Sequence, residues 1–142
     1  MTQVRTISQV MTRDPLTLGV EATLLDAMTM LRDHRVRHLP VVDGEGRVLG
    51  VVTDRDVKRA TPSALLRDQR QVWEEVVRTT PIDRVMTRDP VTRDPATSLA
   101  AAVAAFVDER IGCLPVVEGG RLVGIVTAHD LLRAFREHLA GQ

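Results

Sequence analysis

A six-residue segment occurs twice in this chain of 142 residues, and that duplication restricts the fold more than any other feature of the sequence. The segment Val10–Pro15, which reads Val-Met-Thr-Arg-Asp-Pro, returns unchanged as Val85–Pro90. Self-similarity at a fixed spacing indicates repeated structural units. The sequence therefore predicts two related domains, residues 7–60 and 82–139, joined by a connector over residues 61–81.

The residue pattern inside each repeat predicts the order β-α-β-β-α. A short extended piece follows the proline, and Thr23 then caps a helix whose Leu24, Met28 and Leu31 lie on one face. Two β-branched runs joined by a glycine-rich turn predict a hairpin, and a second helix follows. The predicted hairpins are Leu39–Val42 with Arg47–Thr53 and Leu114–Val117 with Arg121–Thr127, and the second helices are Asp54–Ala60 and Ala128–Leu139.

Two further helices are predicted from spacing alone. The first helix of the second repeat starts near residues 97–98 and is expected to bury Leu99, Val103, Phe106 and Val107. In the connector, the apolar residues Leu66, Trp73 and Val77 recur at helical spacing, so part of the connector is predicted to be helical.

The composition argues against several classes of function. With 19 basic and 19 acidic side chains the net charge is zero, and the chain has one tryptophan, two phenylalanines and no tyrosine. Nucleic-acid binding is therefore disfavoured. The longest apolar run, Leu99–Val107, is too short to cross a bilayer. Cys113 is the only cysteine, so no internal disulfide forms, and the N-terminus lacks the apolar core of a signal peptide. We expect a cytoplasmic protein.

Sequence signals of catalysis or metal binding are missing. The chain contains no Gly-Lys-Ser/Thr phosphate loop, and Gly44–Gly50 does not have the glycine spacing of a dinucleotide-binding turn. Cys113 lies in an apolar segment with no base nearby in sequence, and the four histidines show no metal-ligand spacing. We therefore expect neither an enzyme nor a metal site.

One pattern in each repeat suits the binding of a phosphorylated ligand. The runs Gly50–Asp56 and Gly124–Asp130 each lead from a strand into a helix, where free amides and the helix dipole can hold a phosphate. The threonine of Thr-x-x-Asp adds a hydroxyl, the aspartate suits a ribose diol, and the glycine lets a ligand approach the backbone. The alternative is that Thr-x-x-Asp is only a capping box at the start of the helix.

Taken together, these motifs resemble a known family. Two copies of V-M-T-x-x-P-x-T, a helix, L-P-V-V, a glycine turn and a final T-x-x-D resemble a pair of cystathionine-β-synthase (CBS) domains, most like the acetoin-utilisation type. The resemblance implies an α/β (α+β) fold of two β-α-β-β-α modules packed about a pseudo-twofold axis. It also implies a homodimer that binds AMP, ADP, ATP or S-adenosylmethionine, regulates without catalysis, and acts on an effector protein that the sequence does not identify.

The resemblance also implies where the ligand binds. The expected ligand-binding residues are Thr17, Val36, Arg37, His38, Pro40, Thr53, Arg55 and Asp56 in the first repeat, and Thr92, Ile111, Cys113, Pro115, Thr127, His129 and Asp130 in the second.

The two expected sites differ in charge. Arg37, His38 and Arg55 are replaced in the second repeat by Gly112, Cys113 and His129, so ligands with more phosphates should prefer the site served by the two arginines. Two other functions remain open at this point: a dimeric scaffold without a ligand, and, less favoured, a regulator that binds nucleic acid.

Overall fold

The computed structural model describes residues 5–63 and 69–141. These residues form two compact units: the first is Leu16–Pro90, and the second joins the described residues up to Pro15 with those from Val91 onward. Within the described residues there are five α-helices and two β-sheets, as expected for a mixed α+β fold. No helix in the described part of the chain is long and apolar enough to span a membrane.

The first unit is built on a four-stranded sheet. Its strands are β2 (Leu18–Gly19), β3 (His38–Val42), β4 (Val48–Thr53) and β5 (Thr87–Arg88), in that spatial order. Strand β2 runs parallel to β3, whereas the β3–β4 and β4–β5 pairs are antiparallel. Its helices are α1 (Leu24–Asp33), α2 (Asp54–Ala60) and α3 (Arg70–Thr79). The core includes Ala27, Leu39, Val41, Val52 and Ile82, all with no exposed surface.

The second unit is built on a three-stranded sheet. Strand β7 (Arg121–Thr127) lies in the middle, antiparallel to both β1 (Thr12–Arg13) and β6 (Cys113–Glu118). Its helices are α4 (Leu99–Asp108) and α5 (Ala128–Ala140). The core includes Ile7, Ala102, Leu114, Val116 and Val126, again fully buried.

In each repeat, the six-residue segment that revealed the duplication lies in the opposite unit from the part of the repeat that follows it. The first copy carries β1, which pairs with β7 in the second unit, and the second copy carries β5, which pairs with β4 in the first unit. Both pairings occur beside a glycine. A Cβ at Gly50 would lie 2.6 Å from Sδ of Met86, and a Cβ at Gly124 would lie 2.5 Å from Sδ of Met11. These glycines therefore allow a methionine from the other repeat to pack against the strand.

Most of the predicted elements of the first repeat are confirmed. Thr23 caps α1 and accepts a hydrogen bond from the Asp26 amide, and α2 has the predicted bounds. The order β2-α1-β3-β4-α2 is the predicted β-α-β-β-α. In the connector, α3 buries Val77 and partly buries Trp73, while the third residue of that prediction, Leu66, lies outside the described residues.

The second repeat departs from the prediction in two places. Its first extended piece is reduced to a single bridge between Arg93 and Val116, because an Asp94–Pro95 turn follows at once. In α4 the prediction that Val103 and Val107 are buried is wrong, since they are 45% and 68% exposed. The helix packs through its small residues Ala102 and Ala105 instead.

Candidate functional site

The start of helix α2 holds the candidate ligand residues of the first unit. Thr53 and Asp56 form a reciprocal capping box: the Thr53 amide donates to Oδ2 of Asp56 over 2.9 Å, and the Asp56 amide donates to Oγ1 of Thr53 over 3.1 Å. Among the described residues, Oδ1 of Asp56 has no hydrogen-bond partner. One oxygen of this carboxylate therefore holds the helix, and the other is available to a ligand.

Helix α5 starts with the same capping box, but both carboxylate oxygens of its aspartate accept hydrogen bonds. Oδ2 of Asp130 accepts hydrogen bonds from the amide and the hydroxyl of Thr127, over 2.8 and 3.1 Å. Oδ1 accepts from Nη2 of Arg133 over 2.8 Å, and Asp130 is only 5% exposed. The matching arginine in the first repeat, Arg59, makes no such contact in the described structure. Both oxygens of Asp130 are thus engaged within the chain.

Thr-x-x-Asp therefore forms a capping box in both repeats. A ligand-binding role of the two aspartates is a proposal.

The two glycines have a structural role instead of the ligand role expected for them. The space beside Gly50 and Gly124 holds Met86 and Met11, so packing of the chain accounts for both glycines without a ligand.

Basic groups gather beside the first capping box. In the register of the β3–β4 pair, His38 lies opposite Thr53, and the Asp54 amide donates to the carbonyl of Arg37 over 3.1 Å. His38 is partly buried, and this burial lowers its pKa from the ordinary value, although Asp54 acts in the opposite direction. The guanidinium groups of Arg37 and Arg55 belong to exposed residues. No motif in the sequence singles out Asp54.

The second unit offers much less positive charge at the matching place. Cys113 lies opposite Thr127 and is buried, and this burial raises the pKa of its thiol to about 12. A thiol with such a pKa stays protonated and unreactive at neutral pH. Gly112 and His129 are exposed. The spacing of Arg133 after Asp130 does not by itself signal their contact, because Arg59 follows Asp56 at the same spacing without making one in the described structure.

The other candidate residues line strands and cores. Pro40 and Pro115 are buried in β3 and β6, and the partly buried Val36 and Ile111 pack against the two cores. Thr17 directly precedes β2. Thr92 directly precedes Arg93, whose amide donates a hydrogen bond to the carbonyl of Pro115. Of the candidates on the central strands, His38 and Cys113 lie opposite the threonines that cap the second helices. In residues 5–63 and 69–141, no group of three His, Cys, Asp or Glu side chains is arranged to bind a metal.

A family model for the CBS domain matches residues 7–63 and 82–137. This chain belongs to the CBS-domain family. It is 33% identical over 127 residues to a CBS domain-containing protein of Dictyostelium discoideum, a match that covers 89% of this chain and 88% of that protein. It is also 31% identical to part of the inosine-5′-monophosphate dehydrogenase of Mycobacterium tuberculosis, but it spans only 22% of that enzyme.

Solved structures share the fold. An acetoin utilization protein from Vibrio cholerae superposes with a TM-score of 0.80 at 31% identity, covering 97% of this chain and 95% of that one. The CBS domain pair of the protein MJ0100, in complex with 5′-methylthioadenosine and S-adenosyl-L-methionine, gives 0.79 at 25% identity, with 96% and 99% covered. CBSX2 in complex with AMP gives 0.77 at 25%, with 93% and 97% covered. CBS pairs of this fold therefore include proteins that bind adenosyl ligands.

Proposed function

We propose that this chain is a regulatory module, and not an enzyme, that binds AMP, ADP, ATP or S-adenosylmethionine at the start of helix α2. The observation that carries the proposal is the Asp56 carboxylate, which caps the helix with one oxygen and keeps the other without a partner in the described structure. A carboxylate oxygen beside a threonine hydroxyl suits a ribose diol. The adenosyl ligands bound by MJ0100 and CBSX2 support the same ligand class.

Each neighbouring residue has a role in this proposal. The phosphates lie near the exposed Arg37 and Arg55, whose planar guanidinium groups give paired hydrogen bonds to phosphate oxygens. His38 adds a further donor beside Thr53. The adenine contacts the strand that begins after Thr17, together with the partly buried side chain of Val36.

The two units are proposed to bind unequally. In the second unit a ribose would have to displace Arg133 from Asp130, and no arginine takes the places of Arg37 and Arg55. Ligands with several phosphates should therefore bind the first unit, and the second should bind AMP or an uncharged adenosyl group more weakly or stay empty.

Isothermal titration with AMP, ADP, ATP and S-adenosylmethionine tests this function directly. We expect saturable binding of at least one ligand, and loss of the tighter event in Asp56→Ala. Absence of heat with all four ligands at millimolar concentration would favour the scaffold alternative, in which the capping boxes serve only the fold.

We also propose that the protein is a homodimer that signals through its own assembly or to an effector protein. Helices α4 and α5 leave Val103, Val107, Leu132, Phe135 and Leu139 between 45% and 68% exposed. Such an apolar surface marks an interaction site, and a symmetric pairing of the same face is the commonest way to cover it.

Light scattering measures this assembly. Wild-type protein should have the mass of a dimer at micromolar concentration, and Leu132→Lys should shift the mass towards the monomer. The matched position of the first repeat already carries a lysine, Lys58, so the substitution suits this kind of helix. A monomeric wild type, or an unchanged mass in the variant, would contradict the proposed interface.

A further inference from the structure

Two matching segments of the chain dock in the opposite unit from the sequence that follows them. Residues 5–15, here called the leading segment, belong to the second unit, and residues 80–90 belong to the first. Each segment places one isoleucine with no exposed surface, Ile7 or Ile82, in the core of the unit that it joins. Each therefore supplies part of a core that the rest of its unit leaves incomplete.

The backbone hydrogen bonds that hold the two segments also correspond. Bonds of the leading segment have counterparts at the matching residues of the other segment, with donor–acceptor distances between 2.9 and 3.4 Å. In the leading segment they join Ile7 to Thr97, Arg5 to Leu99 and Asp14 to Val123, and in the other segment Ile82 to Ala22, Thr80 to Leu24 and Asp89 to Leu49. Both docking sites thus hold this stretch of chain by its backbone and its apolar side chains. These contacts do not depend on which copy of the chain supplies the segment.

The junction that follows the leading segment is strained. Asp14 has a φ of 46°, in the left-handed region that residues other than glycine rarely adopt. Pro15 comes next, and proline favours an extended conformation for the residue before it. The chain passes from one unit to the other directly after this pair, between Pro15 and Leu16. Short hinges under strain favour exchange of a segment between copies of a chain, because an extended hinge relieves the strain and keeps the contacts of the segment.

We propose that the leading segment exchanges between two copies of the chain, so that Ile7 and Met11 of one copy complete the second-unit core of the other. The interaction surface is the site beside β7 and the start of α4, and its occupant is the leading segment of a second copy. Residues 80–90 are less suited to exchange, although Asp89 has a φ of 48°, because their movement would carry α3 or the rest of the second unit with them. The proposal depends on neither adenosyl binding nor the contact through α4 and α5.

Disulfide trapping between separate chains tests the exchange. Thr6 and Ser98 lie directly opposite each other in an antiparallel bridge, a placement that suits an engineered disulfide. One chain carries Thr6→Cys and the other Ser98→Cys, with Cys113→Ala in both to remove the native thiol. The two chains are unfolded together and refolded at submillimolar concentration in a glutathione redox buffer. We expect a mixed disulfide of twice the chain mass, identified by mass spectrometry and a non-reducing gel.

Matched variants separate exchange from chance oxidation. Both cysteines in one chain, refolded at low concentration, should form an internal disulfide, which shows that the variant folds. Separate chains with Thr23→Cys and Pro81→Cys should give little mixed product, since this bridge holds residues 80–90. Asp14→Gly accepts a positive φ without strain and should lower the yield of exchanged product about fivefold. Arg35→Gly, at a φ of 53° inside the first unit, is the matched control and should leave the yield unchanged.

Several results would overturn the proposal. Formation of the internal disulfide without any mixed disulfide would exclude exchange, and failure of the internal disulfide would contradict the Thr6–Ser98 pairing on which the proposal rests. An equal mixed yield from the control pair, or an equal decrease in Asp14→Gly and Arg35→Gly, would also refute it. Leu132→Lys should leave the mixed yield unchanged. Loss of the product in Leu132→Lys would assign the exchange to the helix contact and refute a separate site for the leading segment.

Discussion

In the described part of the chain, three helices begin with the same threonine–aspartate capping box, and two of the three lie at the candidate ligand sites. Asp26 caps α1 as Asp56 caps α2: in each box the threonine amide donates to Oδ2 over 2.9 Å. The third box, at Asp130, has the additional contact with Arg133. Substitution of each aspartate by alanine therefore distinguishes, within one protein, a contribution to helix capping from a contribution to ligand binding.

The cost in stability follows from these contacts. Loss of a capping side chain destabilises a protein by about 1 kcal/mol, so Asp26→Ala and Asp56→Ala should both lower the unfolding free energy by about that amount. Asp130→Ala should cost about 2 kcal/mol, because it also leaves part-buried donors without their acceptor and removes the ion pair with Arg133. Urea unfolding measures all three values.

The cost in ligand binding should differ from the cost in stability. A hydrogen bond to a charged group contributes about 1.5–3 kcal/mol, so Asp56→Ala should weaken the tighter adenosyl site roughly tenfold to a hundredfold. Asp26→Ala should bind as wild type, at a temperature where both variants are folded. If Asp26→Ala and Asp56→Ala lose the same stability and neither loses affinity, the aspartates are caps alone and the ribose assignment is wrong.

Three other perturbations follow from particular contacts. Gly50→Ala should destabilise the protein by about 1–3 kcal/mol, since its Cβ would lie 2.6 Å from a methionine sulfur and 2.7 Å from a backbone oxygen, whereas Gly44→Ala meets nothing within 4 Å and should be nearly neutral in urea unfolding. Arg133→Ala should tighten binding at the second unit by about two- to fivefold in calorimetry by freeing a carboxylate oxygen, with Arg59→Ala as the control that leaves affinity unchanged. Burial lowers the pKa of His38, so the unfolded chain binds this proton first and stability should fall as pH drops below the ordinary value of 6.5. In His38→Gln this part of the pH profile, followed by unfolding at several pH values, should disappear, and a retained slope would assign it to another group.

Local signals in the sequence predicted the helices, the hairpins and the caps of this fold. The β-branched runs joined by a glycine-rich turn predicted both hairpins, and the Thr-x-x-Asp pattern predicted both helix starts. These features depend on residues a few positions apart, which share one strand or one turn of helix. The capping threonines and aspartates that the ligand proposal uses could be located from the sequence for the same reason.

Features that depend on distant residues were missed or misread. Strands β1 and β5 pair across long stretches of sequence, and no local pattern shows which hairpin a two-residue strand will join. Gly50 was assigned to ligand approach because Met86, the residue that packs against it, is remote in sequence. Val103 was expected to be buried because it is an apolar residue at helical spacing. That spacing does not show which apolar face of a helix packs against the rest of the chain.

Comparison of the two repeats distinguishes residues that the fold requires from residues that only change the chemistry of the surface. Two kinds of residue that both repeats keep have a structural reason: the paired aspartates cap helices, and the paired glycines admit a methionine. Where the repeats differ on exposed helix positions, as at Lys58 and Leu132, both positions are helical and the surface chemistry differs. Like charges oppose the pairing of two copies through the cationic helices of the first unit, whereas the apolar helices of the second unit favour it. In the proposed symmetric dimer we therefore expect the second unit to supply the contact between copies.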